Sequence, residues 1–219
     1  METVRRRITI FYDRHPLVGP LFWITSAQYF ITQLAVAGQW TQSYSIAHNT
    51  ISDLGNTICG VYDSRYVCSP AHAWMDASFI VLGLTMMAGS GLIYQEFRER
   101  RGSAPGFSGM ALAGFGTVLV GLFPENTIGS LHFFGALLPF LIGNLAMIIL
   151  GASLSLPRVL KLYTILSGAV SLIALVGFET HTYIGLGSGG MERIVAYPQT
   201  LWLIVFGLYM SRNHYLRKH

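Results

Sequence analysis

Charge is scarce in this chain. Only 11% of its 219 residues are Asp, Glu, Lys or Arg, where a soluble globular domain carries roughly a quarter. That excludes an ordinary water-soluble globule. Cysteine is also rare: Cys59 and Cys68 are the full complement of two. Their C-x8-C spacing fits no common zinc motif. Long polar stretches are missing, so no linker, repeat or low-complexity tail marks a second domain. H-E-x-x-H, G-x-S-x-G and phosphate-loop patterns are absent too, which removes the standard catalytic signatures. The glycine-rich stretch THTYIGLGSGGMER, ending at Arg193, follows no strand. It reads as a flexible loop or gate, not a nucleotide loop.

What is present is apolar. Hydrophobic residues make up 52% of the chain, and mean hydropathy is +0.49. The apolar runs fall at about 17–39, 73–95, 106–124, 129–152, 159–178 and 194–211. Each reaches the roughly 17–25 residues that cross about 30 Å of hydrocarbon as helix. No ten-residue alternation of the β-barrel kind is visible. The expected fold is all-α: a polytopic transmembrane bundle of six helices forming one integral membrane domain over residues 1–219. Dense glycine and alanine in the runs predicts closely packed helices. Pro139 and Pro198 should kink the fourth and sixth spans.

Orientation follows from the basic residues. Of the 14 Lys and Arg, only Arg65 and Arg193 fall on one side of this arrangement. The lopsided split makes the other side, with both termini, cytoplasmic in a plasma membrane. The run after Arg5, Arg6 and Arg7 is too long for a signal core and reads as a first span that stays. The basic, apolar N-terminal dozen residues are expected on the inner interface. A net charge of +4 is a topology signal that suits anionic headgroups, so membrane lipids are the expected partners. A membrane-protein partner is the other candidate, and no nucleic acid is needed.

The longest connection, residues 40–72, reads as a folded outer cap pinned by a Cys59–Cys68 disulfide, because both cysteines share a loop in an oxidising compartment. Alternatively, residues 45–58 form a re-entrant or interfacial helix.

Ionisable residues collect at one depth. His48, Ser52 and Asp53 lie in the outer cap, and His72 and Asp76 open the second span. Glu125 closes the third, His132 opens the fourth, and Glu192 and Arg193 open the sixth. Exposing such groups to lipid costs several kcal/mol each, roughly, so they are expected around one outward-facing polar cavity, with residues 48–56 folded over its mouth. Asp76 lies four residues after His72 and can fix its tautomer. The bland alternatives are solvated or capping side chains and a Glu192–Arg193 ion pair. Histidines with carboxylates on neighbouring helix ends could also hold a divalent metal that activates water, although no residue set is assigned to a metal. The cavity implies a membrane protein that binds a lipid or small ligand, or serves as a subunit of a membrane assembly. The alternative is a membrane-embedded, metal-dependent enzyme acting on a lipid or isoprenoid at the outer leaflet.

The stretches SIAHNTISDLGN, CSPAHAWMDASFIVLGLTMMAG, GLFPENTIGSLHFFGALLPFLIGNLAMIILG and GGMERIVAYPQTLWLIVFG together resemble a prokaryotic membrane family, domain of unknown function 998. The matching elements are Ser-Asp-Leu-Gly at 52–55, Phe-Pro-Glu at 123–125 with His132 after it, and Glu192–Arg193. The resemblance implies a six-helix integral membrane protein and no established reaction. A looser similarity is to the membrane hydrolases that include alkaline ceramidases and adiponectin-type receptors. Their final span carries paired histidines, and the sixth run here has none.

Overall fold

The structure, a computed structural model, describes residues 9–216. Residues 9–14 are helical; the stretch before them, with Arg5, Arg6 and Arg7, lies outside the described residues. Helices α1 (Val18–Ile24) and α2 (Ala27–Ala37) lead to a 3-10 turn (Ser52–Gly55) and a hairpin of β1 (Cys59–Tyr62) and β2 (Arg65–Cys68). Then follow α3 (His72–Phe97), α4 (Ser103–Leu122) and α5 (Gly129–Leu137), the last continuing through a π turn (Leu138–Gly143) into α6 (Asn144–Ser153). The chain closes with α7 (Arg158–Glu179) and α8 (Gly187–Leu216).

Among the described residues, five helical units are long and apolar enough to cross a membrane: α3, α4, the α5–α6 unit, α7 and α8. They coincide with the second to sixth apolar runs, as in a multi-pass membrane protein. Their outward surfaces are greasy, with Val159, Ile173 and Val176 exposed by 82%, 74% and 64%. Water would penalise such a surface, whereas lipid does not.

The first run is different. It forms two helices, of 7 and 11 residues, and neither alone spans the hydrocarbon. The break has a local cause. Thr25 donates its hydroxyl to the Phe22 carbonyl at 2.7 Å, and the Gln28 and Tyr29 amides bond three residues back, to Thr25 and Ser26. Hydroxyl back-bonding and 3-10 closure tighten the chain here and interrupt the α ladder.

The core sits where α1 meets α3, α4 and α8. Trp23 is wholly buried, packs on Phe107, Trp202 and Phe206 and donates its indole N–H to the Met86 carbonyl at 3.3 Å. Glycine permits the closest helix contact: a Cβ on Gly83 would stand 2.4 Å from the Gly114 carbonyl oxygen. Pro139 lies in the π turn, where its missing N–H cannot serve an α ladder. Asn144, where the π turn ends, donates its side-chain amide to the Phe140 and Val195 carbonyls at 2.8 and 3.3 Å. That side chain also ties α6 to α8.

At one end of the bundle, residues 40–72 fold as a cap. β1 and β2 pair antiparallel with Cys59 opposite Cys68, and the two are disulfide-bonded. The hairpin closes on Asp63 and Ser64, both with positive φ, 44° and 64°, as a two-residue turn between twisted strands requires. The only helical piece within 45–58 is the 3-10 turn, so no re-entrant helix forms there. Side chains take the backbone groups an α-helix would use. Asn49 Oδ1 accepts from the Ser45 amide, Asp53 Oδ2 from the Thr50 amide, and Thr50 Oγ1 from the Asp53 amide.

Candidate functional site

The cap presents the 3-10 turn to the ends of α3, α5 and α8, and the turn's first two residues organise what surrounds it. Asp53 has no exposed surface. Arg65 reaches back from β2 to grip both its oxygens at 2.7 Å, while Asn49 and Thr50 donate to Oδ2 at 3.2 and 3.0 Å. Burial works against the Arg65 charge, but its bonds to Asp53 outweigh this and raise its pKa, keeping it protonated.

Ser52 faces the bundle. Its hydroxyl lies 3.0 Å from His132 Nε2 on α5 and 3.3 Å from Glu192 Oε1 on α8. The other ring nitrogen, Nδ1, is 2.8 Å from the Phe123 carbonyl oxygen. A carbonyl can only accept, so Nδ1 carries a proton and the neutral ring offers Nε2 as an acceptor. Glu192 also takes the Ile51 amide through Oε2.

Glu125 approaches the turn from the α4–α5 loop. Asn56 donates to its Oε1 at 2.9 Å, and the Tyr62 hydroxyl donates to its backbone carbonyl at 2.9 Å. Burial first, then the Asp53 carboxylate beside it, pushes the Glu125 carboxyl well above the usual range. Burial likewise raises the Tyr62 phenol.

Glu192 and Arg193 do not pair with each other; no ion pair joins them among the described residues. Arg193 instead donates through one nitrogen to the carbonyls of Ile46, Asn49 and Gly189 at 3.0, 2.9 and 2.8 Å. Its remaining donors go to the hydroxyls of Tyr44 and Tyr197. Burial raises the Tyr44 phenol well above its ordinary value, although the Arg193 cation pulls it down. The glycine-rich stretch that opens α8 is part of this joint. A Cβ on Gly189 would stand 2.1 Å from the Asn49 carbonyl oxygen, and the Gly189 amide donates to Ala47 at 2.9 Å. These glycines serve close docking rather than a flexible gate.

A cleft of about 500 Å³ lies beside the turn, with Ser52, Arg65, Glu125, His132 and Glu192 on its walls. Phe133 and Leu137 of α5 face Phe178 and Glu179 of α7 across it. A narrow apolar recess of about 40 Å³ between the helices shares Ser52, Ala136, Phe140 and Glu192 with the cleft walls and is also lined by Met86 and Thr200.

The remaining candidates sit elsewhere. His72 and Asp76 pair at 3.1 Å on α3, and Asp76 packs against the turn at Gly55, where a Cβ would stand 2.5 Å from Oδ1. Neither lines the cleft. The His48 side chain is exposed; its backbone carbonyl accepts the Ser188 hydroxyl at 2.9 Å. Among the described residues, no three His, Cys, Asp or Glu side chains are grouped to hold a metal ion.

Sequence reading missed Arg65 as a site residue, counting it only as one of two basic residues on its side. Its isolation among the cap's carboxylates was the available signal. The Phe123 carbonyl left no signal at all, because a backbone group has no residue type.

No curated protein and no solved structure matches this chain. A family model described as "Protein of unknown function (DUF998)" matches residues 23–209. By that match over most of its length, the chain belongs to the DUF998 family.

Proposed function

We propose that the chain is a six-span protein of the plasma membrane with both termini cytoplasmic, and that its cleft receives the polar end of a membrane lipid or similar amphiphile from the outer leaflet. The span beyond the five long helices is the first run, α1 and α2 taken together. Val18 to Ala37 covers 20 residues, about 30 Å at 1.5 Å per residue, and its Leu21 and Ile31 side chains stand exposed. The basic residues support the orientation, since Arg65 and Arg193 belong to the cap end while Arg98, Arg100, Arg158, Lys161 and Arg212 belong to the other. Cysteine at position 184, where Ile184 is 78% exposed, should label from outside, and cysteine at Glu99 should not.

The observation that carries the ligand reading is that a polar cleft and an apolar recess share the wall residues Ser52, Ala136, Phe140 and Glu192. Carboxylates, a guanidinium and an imidazole surround the mouth, and hydrocarbon surrounds the interior. That division matches an amphiphile rather than a freely soluble solute. Phe133, on the cleft wall and 55% exposed, gives the opening a side toward lipid. The test is mass spectrometry of lipids retained by purified protein after exchange into a synthetic detergent. Wild type should keep a bound amphiphile, and Ala136→Trp, which fills the junction, should lose it. Retention no greater than that of an unrelated membrane protein rejects the reading.

A further inference from the structure

The cleft holds a pair of side chains that binding alone does not require. Ser52 Oγ and His132 Nε2 are 3.0 Å apart, and the Phe123 carbonyl at 2.8 Å holds the proton on Nδ1. The neutral ring therefore aims a bare lone pair at a hydroxyl whose one proton is shared between His132 Nε2 at 3.0 Å and the longer contact to Glu192 Oε1 at 3.3 Å, with a third group fixing the ring's tautomer and plane. This is the arrangement that activates a serine. His132 is only 8% exposed and Ser52 is half-buried, and both line the same cleft. Ser52 also borders the apolar recess. An amphiphile with its head in the cleft and its apolar part directed past exposed Phe133 and the recess mouth would pass this hydroxyl at the junction of its polar and apolar parts, where acyl esters have their carbonyl.

We propose that Ser52 is a nucleophile, that His132 is its general base, and that the substrate is an acyl ester of a membrane amphiphile. The inference rests on the amphiphile reading of the cleft. Ser52 Oγ forms a bond to the ester carbonyl carbon while its proton passes to His132 Nε2. The carbonyl π electrons move onto oxygen, giving a tetrahedral oxyanion. Collapse re-forms the C=O bond and breaks the bond to the alcohol oxygen, which departs with the proton from His132. The acyl group remains on Ser52. Water then adds to the acyl carbon, giving one proton to His132; the bond to Oγ breaks, Ser52 recovers that proton, and the carboxylic acid leaves. Water is the only co-reactant, and nothing is oxidised or reduced. Glu192, whose Oε1 is 3.3 Å from Ser52 Oγ, stands beside the transient imidazolium.

The test exposes the full chain in detergent to an alkyl fluorophosphonate, which phosphonylates activated serines, and locates adducts by peptide mass spectrometry. An adduct is expected on Ser52 of wild type. Ser52→Ala should abolish it, and His132→Gln should slow its formation by about 10²–10⁴-fold, the usual contribution of a general base. Wild-type protein that retains its amphiphile yet stays unlabelled at Ser52 overturns this inference and leaves the binding reading standing. Ser52 labelling at an unchanged rate in folded His132→Gln overturns the role of His132. Labelled Ser52 in protein that retains no amphiphile rejects the binding reading, and with it this substrate class.

Discussion

Glu192 and Arg193 are neighbours in the chain, yet they hold opposite polarities of one strip of cap backbone. Glu192 accepts the Ile51 amide, while Arg193 donates to the Ile46 and Asn49 carbonyls. The pair is a clamp that reads the cap from both sides. It also explains how a charged dipeptide resides in a candidate membrane-spanning helix: both side chains are buried but satisfied.

Arg193→Lys should therefore not be conservative. A lysine retains the charge but lacks the planar fork that reaches three carbonyls and two phenols. Hydrogen bonds to charged groups contribute roughly 1.5–3 kcal/mol each, so a net loss of about 3 kcal/mol is expected. Chemical unfolding in detergent would measure it, and hydrogen exchange should rise first in residues 44–52. Unchanged exchange there would show that the clamp does not hold the cap.

The Asp53–Arg65 pair makes a second demand. Asp53 is fully buried, and only 18% of the Arg65 side chain is exposed. Arg65→Met would leave a buried carboxylate without its cation, an arrangement that costs about 3–5 kcal/mol. Arg65→Met combined with Asp53→Leu should recover part of that loss, because no charge then remains to be desolvated. A single variant that unfolds like wild type would contradict the pairing.

Much of this fold could be read from the sequence because bilayer thickness makes apolar runs of about 20 residues unambiguous. The second to sixth runs became helices of that length, and two cysteines nine positions apart became opposite partners in a hairpin. The break at Thr25 and Ser26 was not legible, since it depends on which carbonyl a hydroxyl selects. For the site, depth along the spans put Ser52, Asp53, Glu125, His132 and Glu192 at one level, and Ser52, Glu125, His132 and Glu192 line one cleft with Asp53 buried beside it. Depth says nothing of azimuth. Thus His72 and Asp76 share that level yet pack behind the turn, and His48 turns to the surface. The partner choices of Glu192 and Arg193 were equally hidden, because both depend on how a loop more than a hundred residues away is folded.

The last prediction concerns pH. Burial, reinforced by the neighbouring Asp53 carboxylate, raises the Glu125 carboxyl from 4.5 to about 9. Below 4.5 the group is protonated in folded and unfolded chains alike, and its contribution to stability is fully present. As pH climbs through this window the unfolded chain releases the proton first. The folded state then binds more protons, so stability falls with rising pH until the folded group also ionises. The Tyr62 phenol beside it is itself raised and stays neutral across the window. The unfolding midpoint in detergent at constant ionic strength should therefore decline between about pH 5 and pH 9. Glu125→Gln should flatten that decline: its amide is neutral throughout and can still accept from Asn56, which now donates to Oε1 at 2.9 Å. Parallel declines in wild type and Glu125→Gln would place the titrating group elsewhere.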